Sequence, residues 1–143
     1  MHSPEPHNID ASFEWHAIAG AKKLLQWMPT LDGLRQECDG MCRCVSALLT
    51  RDRIPHRIHA GYVVAHSVGK SISPHLWIEL DKGVCFDLRA RMWLGNHESI
   101  PHGLFRPSAE AEYISSKEIS PDRFGYPLSL FEVLAEAPLS AFP

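Results

Sequence analysis

HLWIELDKGVCFDL, residues 75–88, reads as a β-hairpin, and its register governs what the rest of the chain can do. From His75 to Leu80 the residues alternate, with Leu76, Ile78 and Leu80 on one face and His75, Trp77 and Glu79 on the other. From Val84 to Leu88 they alternate again, with Val84, Phe86 and Leu88 on one face and Cys85 and Asp87 on the other. Asp81-Lys82-Gly83 supplies turn residues. A three-residue turn pairs Leu80 with Val84, Trp77 with Asp87 and His75 with Arg89. His75 and Asp87 are then diagonal neighbours on one face, about 7–8 Å apart at the backbone, a gap that long side chains bridge. A two-residue turn would put them on opposite faces, because a one-residue slip inverts every side chain.

Upstream of the hairpin, RIHAGYVVA (residues 57–65) is rich in β-branched and aromatic residues and predicts a strand. Ile54-Pro55 separates it from a helical run that opens at Cys38 and extends to Arg53. Met41, Cys42, Val45, Leu48 and Leu49 form its apolar stripe. Cys38 lies one turn before Met41 and Cys42, at the top of the face to be buried. Residues 1–9 are expected to be a flexible tail, and residues 10–143 one domain. Asp10 is expected to cap a first helix running to about Met28, which Pro29 stops. His66 to Pro74 reads as a polar loop. Arg89 to Arg123 shows no clear period, and Ser129 to Glu136 reads as a short final helix.

Apolar and charged content are those of an ordinary globular protein. At this length about 70% of the unfolded chain's surface can be buried. Fourteen Lys and Arg against 17 Asp and Glu give a net charge of −3. With no long basic run, nucleic acid is not an expected partner, since phosphate binding needs clustered cations. No apolar stretch is long enough to span a bilayer. MHSPEPHNID lacks the basic-then-apolar pattern of a secretion signal. A cytoplasmic location is therefore expected, with the four cysteines as free thiols.

Cys38, His75 and Asp87 suit the roles of thiol nucleophile, imidazole base and acid, and orienting carboxylate in attack on an amide or other acyl carbon. A cysteine that opens a helix feels the positive end of the peptide dipoles, and a neighbouring imidazolium favours thiolate further. The Cys38 amide would stabilise the oxyanion. Gln36, Gln26 or Trp27 would supply a second donor, and Trp77 is a candidate wall or substrate contact. Cys42 or Cys44 would be the nucleophile in another register, while Cys85 shares the face of Asp87. Zinc held by the cysteines and nearby histidines is the competing chemistry, but Cys-x3-Cys-x-Cys is not a standard zinc spacing. A binding or inhibitor protein without catalysis is the remaining class. No metal and no cofactor are expected.

CDGMCRCVSALLTRDRIPHRIHAGYVV, SPHLWIEL and DKGVCFDL together resemble the transglutaminase-like superfamily of papain-type fold. Its members pair a helix-opening cysteine with a Gly-Ile-Pro-Ala-Arg-like break, a Gly-Tyr strand, a His-Ala-Trp-Val-Glu-like strand and an aspartate strand. Ile54-Pro55-His56-Arg57, Gly61-Tyr62-Val63, His75-Leu76-Trp77-Ile78-Glu79 and Asp87 correspond to these. Arg53 replaces the usual glycine before Ile54, and Leu76 the small residue after the histidine. The resemblance covers about Cys38 to Leu88. It implies an α+β fold with the cysteine helix packed on a small antiparallel sheet. It further implies an acyl-thioenzyme, resolved by water in peptidases and amidases or by an amine in transglutaminases. The small size of the chain leaves room for only a shallow cleft, so a peptide or protein substrate is expected; hydrolysis is favoured, and oligomeric state is left open.

Overall fold

The structure, a computed structural model, describes residues 5–7 and 12–143. It is α+β, with a five-stranded antiparallel sheet in the order β4-β3-β2-β1-β5. The strands are β1 (Arg57–Ala65), β2 (Lys70–Glu79), β3 (Cys85–Asp87), β4 (Gly103–Phe105) and β5 (Ala111–Ile119). The α-helices are α1 (Ala21–Asp32), α2 (Cys38–Arg51), α3 (Ala90–Leu94) and α4 (Leu128–Ala135). No helix among the described residues is long and apolar enough to cross a membrane.

The hairpin takes the three-residue turn. Leu80 N–H donates to Val84 O at 2.7 Å, and Ile78 and Glu79 face Phe86 and Cys85. Leu76, Ile78, Leu80, Val84, Phe86 and Leu88 therefore turn toward one core. The α2 stripe, with Met41, Cys42, Val45, Leu48 and Leu49, packs into that core beside Leu24 and Leu31 of α1 and Phe131 of α4. The opposite face of the sheet carries smaller clusters. Val63 and Ala65 meet Ala90, Leu94 and Ile100; Trp77, Cys85 and Phe105 form a second group, and Tyr113 packs against both.

Three expectations are corrected. The first helix begins at Ala21 rather than Asp10, which lies outside the described residues. Gly20, at φ 87°, makes the left-handed entry to α1, and a Cβ there would sit 2.8 Å from Ile54 Cγ2. Pro29 does not stop α1 but sits inside its last turn. A proline there removes one hydrogen bond, but the turn holds the fully buried Leu31, and its final residue, Asp32, bonds Arg89 and His102. Lys70 to Pro74 is not loop, because those residues extend β2 along β1. Of the tail, residues 1–4 and 8–9 lie outside the described residues, while His7 forms an isolated parallel bridge with Phe105.

Gly61 lies where the register shifts on both sides of β1. A Cβ there would fall 1.9 Å from the backbone carbonyl oxygen of Ile114, so β5 must yield. Gly61→Ala is expected to cost about 1–3 kcal/mol, the range for forced overpacking. A lower urea midpoint at unchanged slope would show it. A wild-type midpoint would mean that β5 shifts without penalty.

Candidate active site

Cys38 is the first residue of α2, behind an extended Glu37. The first intrahelical amide donor is Met41, which bonds Glu37 O at 2.8 Å. The amides of Cys38, Asp39 and Gly40 thus belong to the helix end that has no partner within the helix. The thiol is half-buried. It borders a groove of about 390 Å³ whose other walls are Glu37, Ser71 to Pro74 of β2 and Trp93 of α3. Trp93 is 56% exposed and gives the groove an apolar rim.

His75 is fully buried in β2. Its Nε2 lies 2.7 Å from Asp87 Oδ2. An ionised carboxylate only accepts, so Nε2 carries the proton and Nδ1 is left for the other side of the ring. Among the described residues, no group meets Nδ1 in standard hydrogen-bond geometry. Cys38 is nevertheless near enough to favour the protonated ring. Burial pushes the His75 pKa down, but the charge and hydrogen bond of Asp87, with the smaller contribution of Cys38, carry it up to about 9. The imidazolium is the dominant form at neutral pH.

Asp87 is held from four directions. Besides His75, it accepts from Tyr113 Oη at 2.8 Å, from the Arg89 amide at 2.8 Å and from the Ala90 amide at 3.1 Å. The two amides belong to the N-cap and the first residue of α3, so Asp87 ties down the start of that short helix while it binds His75. Burial first, and the Asp87 charge second, push the Tyr113 hydroxyl pKa well above its ordinary value. It therefore stays a donor.

The other sequence candidates are placed differently. The Gln36 side-chain amide donates to Leu134 O of α4 at 2.9 Å, and its Oε1 accepts from Tyr126. It is thus engaged with α4 rather than free to serve as the second oxyanion donor. Trp27 is buried, with its indole N–H on Pro143 O at 3.1 Å, and Gln26 is exposed on α1. Trp77 is buried between two imidazoles, stacked on His59 at 5.5 Å and on His75 at 6.4 Å between ring centroids. It packs behind His75 and is not among the residues that line the Cys38 groove. Cys42, Cys44 and Cys85 are buried, and desolvation raises all three thiol pKa values, that of Cys44 to about 12. Among the described residues, no three His, Cys, Asp or Glu side chains gather into a metal-binding group. His56 and His59 are tied down. His56 lies between Ser46 Oγ and Ile54 O, and His59 between Ser115 Oγ and Glu79.

Two residues of the site escape sequence reasoning. Tyr113 comes from β5, 26 residues beyond Asp87. Arg89 reads as a solvated basic edge or a contact for an acidic substrate, yet it is 5% exposed. Its guanidinium donates to the carbonyls of Asp32, Leu34 and Gln36 and to the Asp32 carboxylate. It thereby fixes the segment that delivers Cys38. The Asp87-x-Arg89 spacing is the signal that was available: one residue beyond the hairpin, on the face of the acid it follows. No protein-family model, curated protein or solved structure matches this chain significantly.

Proposed function

We propose that this protein is a cysteine-dependent acyl-transfer enzyme of transglutaminase-like, papain-type architecture, which hydrolyses an amide or isopeptide of a peptide or protein. One observation carries the reading. A half-exposed thiol at a helix start stands beside an imidazole whose far nitrogen is fixed by a buried, fully hydrogen-bonded carboxylate. Such an ordered set of buried polar groups is costly to build for packing alone, and the atom it leaves unmet, His75 Nδ1, is the nitrogen that the reaction uses.

In the proposed reaction Cys38 Sγ, as thiolate, attacks the carbonyl carbon and forms the C–S bond. The carbonyl electrons move onto oxygen, where the Cys38 amide donates to the oxyanion. On collapse the C–N bond breaks, and the imidazolium of His75 gives its Nδ1 proton to the departing amine. His75, now neutral, takes a proton from water as the water oxygen attacks the thioester. The C–S bond breaks, the acyl group leaves as the carboxylic acid, and thiolate and imidazolium are regenerated. Asp87 holds the ring and its charge throughout. An amine in place of water gives transamidation by the same steps.

Iodoacetamide labelling at pH 7, mapped by peptide mass spectrometry, tests the pair. Cys38 is expected to react first, about tenfold faster than in His75→Ala, since the imidazolium beside a cysteine activates its sulfur toward alkylation. Cys42, Cys44 and Cys85 are expected to lag because they are buried. Equal rates in the two proteins, or labelling without preference for Cys38, would leave a structural cysteine and end the enzyme reading.

A further inference from the structure

Beside the Cys38 groove lies a second, larger cleft of about 520 Å³, and Glu37 borders both. Its walls include Asp32, Arg35, Arg91, Met92 and His102. The charges on these walls do not cancel. Asp32 is already taken, by Arg89 at 2.9 Å and by His102 Nε2 at 3.0 Å. Arg89 is consumed in turn by Asp32 and backbone carbonyls. Arg91 donates to Ile100 O at 2.9 Å and to Asn96 Oδ1 at 3.2 Å, both neutral acceptors. Arg35 is exposed, and neither it nor Arg91 has a carboxylate partner among the described residues. Two arginines without a carboxylate partner among the described residues thus line one cleft of a chain whose net charge is −3, with Glu37 at the junction with the Cys38 groove. Leu34, Leu88 and the 52% exposed Met92 add apolar surface that would cover the methylenes of a bound chain.

We propose that the Arg35–Arg91 cleft is a recognition site for a carboxylate of the peptide whose amide reaches Cys38. A guanidinium fork matches a carboxylate in shape as well as charge. The carboxylate comes from an acidic side chain or from a C-terminus, and the two share this chemistry. The peptide arrives beside a strand edge able to guide it. β3 pairs with β2 only at Ile78 and Glu79, so the outer edge of β2 from Ser71 to Pro74, which borders the Cys38 groove, has no strand partner among the described residues. The inference rests on the acyl-transfer reading for the identity of the ligand as substrate.

Three fluorescein-labelled hexapeptides separate the outcomes when their binding to the Cys38→Ser protein is followed by anisotropy at low salt. One carries two internal Glu and an amidated C-terminus, one has Gln in their place and a free C-terminus, and one has Gln and an amide. At least one anionic peptide is expected to bind about tenfold more tightly than the neutral one, the size of a charge-assisted contact. Which one does so assigns the carboxylate to a side chain or to the C-terminus. The advantage is expected to fall below about threefold in Arg35→Gln/Arg91→Gln and to survive in Arg106→Gln, which alters a different groove. Arg35→Gln alone, which breaks no hydrogen bond among the described residues, and Arg91→Lys guard against a folding artefact. Equal binding of all three peptides, absence of binding, or a preference that survives loss of both arginines overturns the proposal. Failure of Cys38 in the wild type to alkylate selectively, with the anion preference intact, overturns the enzyme reading and leaves the cleft as a carboxylate-binding site.

Discussion

Asp87→Ala is expected to lower the unfolding free energy by about 3–5 kcal/mol, the range for removing one partner of a buried ion pair. For a domain of this size that is a fall in Tm of about 6–20 °C, at about 2–4 °C per kcal/mol. The cost follows from what the carboxylate holds. Its loss strands His75 Nε2, the Tyr113 hydroxyl and the amides of Arg89 and Ala90, all of which it accepts from. Alanine supplies no acceptor, and a buried donor without a partner costs about 1–3 kcal/mol. The damage also spreads along the chain, because Asp87 holds the amides that lead into α3 and Arg89 pins the segment before Cys38. Asp87→Asn is the informative companion. Its carbonyl oxygen still accepts from the two amides, so it is expected to cost less than half as much while removing the charge beside His75. Differential scanning calorimetry of both variants decides the matter. An Asp87→Ala melting point within about 3 °C of wild type would show that water or rearrangement replaces the carboxylate, since that shift is worth only about 1 kcal/mol.

The parts of the site that sequence discloses are those fixed by local pattern. Parity along His75–Leu88, joined to a three-residue turn, places His75 and Asp87 on one face, and the observed Ile78–Phe86 pairing has that register. The α2 stripe is legible for the same reason: one periodic face is buried against one sheet face. β5 is not legible, because it is an edge strand with mostly exposed residues after Ala111. Its strand character comes from pairing with β1, not from its own alternation. Tyr113 is hidden with it. The position of Arg89 depends on the tertiary approach of the Asp32–Gln36 segment, which no period encodes. The start of α1 is set by Gly20 closing on Ile54, a contact 34 residues away in sequence. Gln36 stands two residues before the cysteine, which makes it a candidate oxyanion donor by position, but α4 captures its amide from the far end of the chain.

A second large effect is expected in the dependence of stability on pH. The folded protein raises the His75 pKa to about 9 from the ordinary 6.5, because the attraction of Asp87 outweighs desolvation. A group bound more tightly to its proton when folded stabilises the fold while protonated. That contribution is complete below about pH 6.5 and is lost as pH rises from there through about 9. At 1.36 kcal/mol per pH unit, the loss is of order 3 kcal/mol. Other groups titrate elsewhere or in the opposite sense. The lowered His56 pKa destabilises the fold on acidification, below the same window. The raised Tyr113 and cysteine pKa values remove stability mainly above it. Urea unfolding at pH 6.5 and pH 9 is therefore expected to show a marked fall for wild type and a much smaller one for Asp87→Asn, in which the charge that holds the proton is gone. Cys38→Ser is expected to keep most of the fall, since Asp87 makes the larger contribution to the raised pKa and Cys38 the smaller. An equal fall in wild type and Asp87→Asn would show that the imidazolium–carboxylate pair does not form, and the proton that the proposed reaction delivers to the leaving amine would then need another source.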